Sequence, residues 1–134
     1  MKFPVIASFI SDCASCHSKE IRFCDAESFD DENSSGVAPG GYLNPFGYYV
    51  IGTTIGGNAI VVSDVDPRVL FADHTWYGDD EINYQDHAGD GAWHAIPMTS
   101  DNVRRSLYEL APSRDEFLSR LRDGAVDFQI EAID

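Results

Sequence analysis

The residues best suited to chemistry lie near the start of the chain. Cys13-Ala14-Ser15-Cys16-His17 has the spacing of a c-type haem attachment motif, and Cys24 follows it. Haem attachment needs export and a second axial ligand. We see no export signal in the short apolar start, so we expect no haem. Zinc held by Cys13, Cys16, Cys24 and His17 is the better functional alternative, because thiolates in a C-x-x-C spacing can share one tetrahedral ion.

A structural role competes with that metal site. The chain has no second close cysteine pair, and cysteines at positions i and i+3 of a helix are typical of packed, partly buried thiols. We therefore expect no cofactor and no metal. A metal- or small-ligand-binding protein organised by the cysteine cluster remains the alternative function.

The remaining histidines do not form a pattern that predicts catalysis. Asp73-His74, His87 and His94 are isolated from one another, and none has the spacing that places two ligands on one helix face. An Asp-His pair at the end of a strand is more typical of a turn whose imidazole is hydrogen-bonded. The sequence also has no nucleophile elbow and no Ser, His and Asp set that it would bring together by itself. We expect no catalytic residues and no enzyme.

One segment, residues 76–93, mixes aromatic and acidic side chains and is the candidate partner-binding surface. Aromatic rings supply contact area, and carboxylates engage Lys or Arg of a partner. The alternative is that the rings cap the core while the acids are solvated. The candidate residues are Trp76, Tyr77, Asp79, Asp80, Glu81, Tyr84, Asp86, Asp90 and Trp93.

The net charge indicates which partners fit. Nine Lys and Arg face 23 Asp and Glu, which gives a formal net charge of -14. A negative field repels phosphate backbones and anionic membrane surfaces, so we expect neither nucleic acid nor membrane as partner. It speeds encounter with a basic protein. No apolar run approaches the roughly 20 residues of a membrane span. We expect a cytoplasmic protein with reduced cysteines, and its oligomeric state stays open.

The length of 134 residues predicts one domain, 1–134, with the following elements. Hydrophobic patterns and turn residues predict helix 3–20, a mobile acidic loop 25–41, hairpin strands 48–51 and 59–62, strand 68–72, polar loop 73–92, a short strand 93–97 and a helix over 101–110. In the hairpin turn, Gly52, Gly56, Gly57 and Asn58 are predicted to supply positive φ angles.

A capped helix closes the predicted fold. Ser113 and Glu116 have the spacing of a capping box, in which each side chain bonds to a backbone amide at the helix start. Phe117, Leu118 and Leu121 follow at the spacing of a buried stripe, and Gly124 suits the C-terminal cap.

Three blocks in this order resemble the SUKH superfamily of Smi/Knr-like proteins. They are the glycine-rich hairpin at 51–62, the strand Val69-Leu70-Phe71-Ala72 ending in Asp73-His74, and the closing segment 110–121 with its Ser and Phe-Leu. The resemblance implies an α+β fold with a curved antiparallel β-sheet flanked by N- and C-terminal helices. It also implies a protein-binding role, such as an immunity protein that neutralises a toxin domain, and it brings no catalytic residues.

Overall fold

The computed structural model describes residues 4–86 and 89–126, and these form an α+β fold. The elements in chain order are helix α1 (Pro4–Ala14), strand β1 (Ile21–Phe23), helix α2 (Ala26–Glu32), helix α3 (Gly40–Leu43) with a 3-10 turn (Asn44–Phe46), strands β2 (Tyr48–Thr54), β3 (Ala59–Ser63), β4 (Val69–Ala72), β5 (Glu81–Gln85) and β6 (Trp93–Pro97), helix α4 (Ser100–Ser106), strand β7 (Tyr108–Ala111) and helix α5 (Arg114–Arg122). No described helix is long and apolar enough to cross a membrane.

The strands form two antiparallel sheets. Five strands lie in the order β1-β2-β3-β4-β7, and β5 pairs with β6 in a separate two-stranded sheet. The register of β2 shifts between Val50 and Gly52, which marks a β-bulge. Val50 and Ile51 are successive strand residues that point to opposite faces, so they are buried in different core clusters. The predicted α+β class with an antiparallel sheet is therefore confirmed.

The large sheet is covered on both faces. On one face Ile60 and Phe71 pack with Ile6 of α1 and Phe117 of α5, so the N- and C-terminal helices share one layer. The other face packs against α3, α4 and the β5–β6 hairpin. Double coverage explains why β3 and β4 are buried at every position, and such strands are typically continuous apolar runs.

Helix α5 agrees with its sequence signals in all but one detail. The Ser113 hydroxyl accepts a hydrogen bond from the Glu116 amide (3.1 Å), and Phe117 and its stripe are buried. Gly124, with φ of 66°, follows the helix. The Glu116 carboxylate, however, accepts from Arg120 Nε (3.2 Å), so only the Ser113 half of the predicted capping box is present.

The prediction of an acidic loop over 25–41 is wrong, because this segment contains α2 and the start of α3. The Asp25 carboxylate accepts from the Ser28 amide (2.8 Å), and the Ser28 hydroxyl accepts from the Asp25 amide (2.9 Å). This reciprocal cap satisfies two amides at the start of α2. Phe29 then packs in the same cluster as α1 and α5, with 3% of its surface exposed.

Three other element predictions also need correction. The first helix ends at Ala14 rather than at residue 20. The predicted polar loop 73–92 contains β5. The predicted helix 101–110 divides into α4 and β7, because Leu107 is extended (φ −86°, ψ 137°) and the chain then pairs with β4.

The hairpin glycines have different roles from those predicted. Of the four turn residues, only Gly57 has a positive φ, of 83°. Gly52 lies within β2, where an added Cβ would sit 3.1 Å from the Arg22 carbonyl oxygen, so glycine allows β1 to approach closely. Asn58 is buried, and its side chain bonds to His74, while Gly56 lies exposed in the turn.

Candidate functional site

The candidate site is built on the β5–β6 hairpin, which leaves the large sheet through Trp76 and Tyr77. The Asn83 amide donates to the Trp76 carbonyl (2.8 Å), and the Gly78 amide donates to the Glu81 carbonyl (3.1 Å). These bonds attach β5 to the chain that follows β4. Among the described strands, β6 pairs only with β5, so its other edge is not part of a sheet.

The antiparallel register decides which side chains face outward. Ile82 pairs with Ile96 and Tyr84 with His94; Ile82, Tyr84 and Ile96 pack with the core, whereas His94 is exposed. Successive strand residues point to opposite faces, so Gln85 and its partner Trp93 lie on the other face, where they line a pocket with Asn58 and His74. Trp93 is 59% exposed.

Negative charge surrounds this hairpin without compensation from the local sequence. Between Arg68 and Arg104 the chain contains no lysine or arginine. Within that stretch the carboxylates of Asp79, Asp80, Glu81 and Asp90 are exposed, and Asp86 is half-buried. The Ala92 amide donates to Asp90 (2.9 Å) and lowers the pKa of that carboxyl, which keeps it ionised.

Two of the predicted contact residues, Trp76 and Tyr77, are not on the surface. They are 3% and 5% exposed and pack in the core beneath the hairpin. The Tyr77 hydroxyl bonds to Ser106 Oγ (2.8 Å), and burial raises the pKa of the phenol. The prediction that these two rings are exposed is wrong, because the isolated bridge between Tyr77 and Ile82 places the segment behind β5.

A cleft of about 250 Å³ lies between the inner face of the hairpin and the α4–β7 segment. Tyr84 and Ile96 form one wall, and Tyr108 contributes to the other. Trp76 forms the floor, with its ring centroid 6.2 Å from those of both tyrosines. The lining residues after β6 are Asn102, Arg105, Ser106, Leu107 and Tyr108. The helix predicted over 101–110 does not bring these residues to the hairpin, because the prediction does not include the change from α4 to β7 at Leu107.

Two opposite charges face this cleft. Asp86 lies at the end of β5, and its Oδ1 accepts from the Gly89 amide (2.9 Å). Arg105 is exposed on α4. The two do not form an ion pair, and Arg105 has no ion pair with any residue within 4–86 and 89–126.

One group of side chains in the described structure could hold a metal ion. Asp86, Asp90 and His94 have ligand atoms that all lie within 4.8 Å of one another. His94 Nε2 is 3.5 Å from Asp90 Oδ1, and the imidazole stacks on Tyr84 with centroids 5.4 Å apart. The group supplies three of the four ligands of a tetrahedral zinc shell, and it lies at the surface.

The cysteine cluster does not have the geometry of a metal site. Cys13 is fully buried, Cys24 is 8% exposed and Cys16 is half-buried. No three of the ligand atoms of Cys13, Cys16, His17 and Cys24, all of them described, come within 4.8 Å of one another. Burial raises the pKa of the Cys13 thiol to about 12 and that of Cys24 to about 11, so both thiols are protonated at neutral pH in this packed core.

The Asp73-His74 pair forms a structural turn, as the sequence indicated. The Asp73 carboxylate accepts from the Thr75 amide (2.9 Å) and the Thr75 hydroxyl (2.7 Å). The His74 amide donates to Asn58 Oδ1 (3.1 Å), and His74 Nδ1 lies 2.8 Å from the same oxygen. The pair joins the end of β4 to the β2–β3 turn. His87 lies outside the described residues.

Comparisons of the chain with protein-family models, with curated proteins and with solved structures give no match.

Proposed function

We propose that this chain is a non-catalytic protein-binding module that binds a basic protein partner through the β5–β6 hairpin. The observation that carries the proposal is Trp93, which is exposed on a hairpin that has Glu81 at one end and Asp86 and Asp90 at the other, in a stretch that contains no lysine or arginine between Arg68 and Arg104. Exposed tryptophan is enriched among the residues that dominate the energy of protein interfaces.

The physical chemistry of the hairpin supports binding to a positive surface. The acidic field accelerates encounter with a basic protein, and salt screens that attraction. Burying Trp93 supplies apolar contact area that salt does not screen. The edge of β6 that pairs with no strand of residues 4–86 and 89–126 adds backbone donors and acceptors, which a partner strand can use.

The finer identity of the partner rests on the resemblance of residues 51–62, 69–74 and 110–121 to SUKH proteins. That resemblance supports an immunity-type protein that works in the cytoplasm and neutralises a toxin domain. A toxin domain that acts on nucleic acid carries a basic surface, which is the surface an acidic inhibitor would cover.

The titratable groups support a non-catalytic role. In the described structure the clearly raised thiol and phenol pKa values are those of Cys13, Cys24, Tyr48 and Tyr77, chiefly through burial. These groups are packed into the cores of the fold. Because they are buried there, none of these four groups is placed to exchange a proton with a substrate.

The test screens the genes beside that of this chain for one that encodes a toxin domain, which is then expressed as a catalytically inactive variant. Binding kinetics are measured at about 50 and 300 mM NaCl, since the Debye length shortens strongly over that range. The hairpin variant Asp79→Asn/Asp80→Asn/Glu81→Gln should lower the association rate about tenfold at low salt. Trp93→Ala should mainly raise the dissociation rate.

A matched control removes the same charge elsewhere. Glu27→Gln/Asp30→Asn/Asp31→Asn neutralises three acids of α2, whose Phe29 packs with α1 and α5. This variant should bind within about twofold of the wild type. If the two triple variants lowered the association rate equally, the net charge of the chain would explain the effect and the hairpin would have no special role. Absence of binding at low salt would refute the proposed function with this partner.

A further inference from the structure

We propose that the cleft between the hairpin and the α4–β7 segment is a socket for one arginine side chain of the protein partner. The inference rests on the proposed function and names the chemical group that the partner inserts. It uses Tyr84, Tyr108 and Asp86, which line the cleft beside the acidic surface.

The size and walls of the cleft suit a single planar cation. A volume of about 250 Å³ is below the range of roughly 300–1,000 Å³ that is typical of sites for drug-sized ligands. Tyr84 is half-buried and Tyr108 is 37% exposed, so both rings present surface to an occupant while Trp76 holds them apart. A guanidinium stacks on aromatic rings and gains cation–π attraction from them.

Charge favours a cation at the Asp86 end. The Asp86 Oδ1 already accepts from the Gly89 amide, and no described residue donates to Oδ2. A guanidinium presents N–H donors in a planar fork, so one donor can bond to this carboxylate while the plane rests on a tyrosine. The exposed acids Asp79, Asp80 and Glu81 on the same hairpin attract the arginine toward the cleft.

Substitution of Arg105 tests whether the group that occupies the cleft is positively or negatively charged. Its guanidinium lies on the opposite wall and repels a bound cation. Removing that charge should therefore strengthen the binding of arginine. If the natural occupant were a carboxylate, Arg105 would hold it, and the same substitution would weaken binding.

The experiment uses the fluorescence of Trp76. The chain has two tryptophans, so Trp93→Phe leaves Trp76 as the reporter at the floor of the cleft. The probe is the peptide acetyl-Gly-Arg-Gly-amide, and the control peptides carry Lys or Glu in place of Arg. A chelator in the buffer removes divalent ions that Asp86, Asp90 and His94 could bind. The expected result is saturable binding of the Arg peptide, with a Kd on the order of 1 mM.

Three further variants make the outcome specific. Asp86→Asn keeps an oxygen that accepts from the Gly89 amide but removes the charge, and it should weaken binding about fivefold. Tyr108→Leu should weaken it about threefold through loss of the ring. Arg105→Gln should tighten it about twofold. Circular dichroism spectra that match the wild type show that each variant is folded.

Each contrary result is informative. Preference for the Glu peptide, weaker binding in Arg105→Gln, or an unchanged Trp76 signal with all three peptides would overturn the socket. The toxin-domain measurement separates the two proposals. A partner that binds the wild type and Asp86→Asn equally well would refute the socket but leave the hairpin interface intact, whereas a partner that does not bind at low salt refutes the proposed function itself.

Discussion

Asn33→Asp should destabilise the fold strongly, although it replaces an amide by a group of almost the same shape. Asn33 Nδ2 donates to the carbonyls of Phe29 (2.8 Å) and Val50 (2.9 Å), and its Oδ1 accepts from the Val50 amide (2.8 Å). β1 pairs with β2 only from Gly52 onward. The Asn33 side chain therefore continues the ladder beyond the end of β1 and ties α2 to the large sheet.

The loss in the free energy of unfolding can be estimated from these hydrogen bonds. A carboxylate still accepts from the Val50 amide but donates to neither carbonyl. The Phe29 carbonyl keeps a bond from the Asn33 amide (3.1 Å), whereas the carbonyl of the fully buried Val50 loses the side-chain donor. One unsatisfied buried acceptor costs about 1–3 kcal/mol, and the facing charged oxygen adds a similar amount, so the loss should be about 2–6 kcal/mol. That is a large part of the 5–15 kcal/mol typical of a domain.

Urea unfolding at pH 7 measures this loss. With a slope of about 2 kcal/mol per molar urea, the urea concentration at the unfolding midpoint should fall by about 1–3 M. The control is Asn83→Asp, which makes the same chemical change at an exposed position of β5 and should cost less than about 0.5 kcal/mol. Equal midpoints for the two variants would refute the role assigned to the Asn33 amide.

The pH dependence gives an independent check. The introduced carboxyl can donate to the Val50 carbonyl only when it is protonated, so folding raises its pKa above the unfolded value of about 3.9. For a raised pKa the stabilising contribution is present below the unfolded pKa and is lost as pH rises through the folded pKa. The difference in stability between wild type and Asn33→Asp should therefore be larger at pH 7 than at pH 4.

Two further predictions concern the core thiols and the β2–β3 turn. Because burial raises the pKa of Cys13 to about 12 and of Cys24 to about 11, the folded state holds these protons more tightly. Stability should be unaffected by them below about pH 9 and should fall as pH rises from there toward 11, which urea unfolding can follow. At pH 8 the half-buried Cys16 should react with a thiol reagent much faster than the other two, and equal rates would contradict the assigned burial. Gly57→Ala should lower the free energy of unfolding by about 1 kcal/mol, because alanine is strained at a φ of 83°. The cost should be no larger, since the added Cβ meets no atom closer than 3.5 Å. Gly57→Asn should cost less, because asparagine adopts this conformation more readily.

The sequence predicted the parts of the fold in which local pattern and tertiary burial agree. β3 and β4 are continuous apolar runs because both faces of the large sheet are covered, so composition alone identifies them. Helix α5 has a serine cap and an apolar stripe that do not depend on distant residues. In these elements each local preference favours the same structure.

Helix α2 and strand β7 show why the rest was not predictable. In α2 a single apolar residue, Phe29, lies among acids, and the helix is held by Asp25, Ser28 and the distant bonds of Asn33. In the 101–110 segment, Val103, Leu107 and Leu110 have helical spacing. The chain leaves the helix at Leu107 because β4 has an edge with which β7 can pair. Both outcomes depend on contacts with residues far away in the chain.

To predict which residues of the candidate site are exposed, one further kind of information is needed, the register between β5 and β6. The acids of the hairpin could be recognised from the sequence, but which aromatic ring faces outward could not. Trp93 lies on the same face as Gln85 because the two residues pair, and a shift of one residue would turn Trp93 to the face that packs against the core. Trp76 is the same residue type in the same segment, yet it is buried because the chain around it lies behind β5. The side chains offered to a partner are therefore set by the pairing of β5 with β6, and a variant that moves this register should abolish binding without removing any carboxylate.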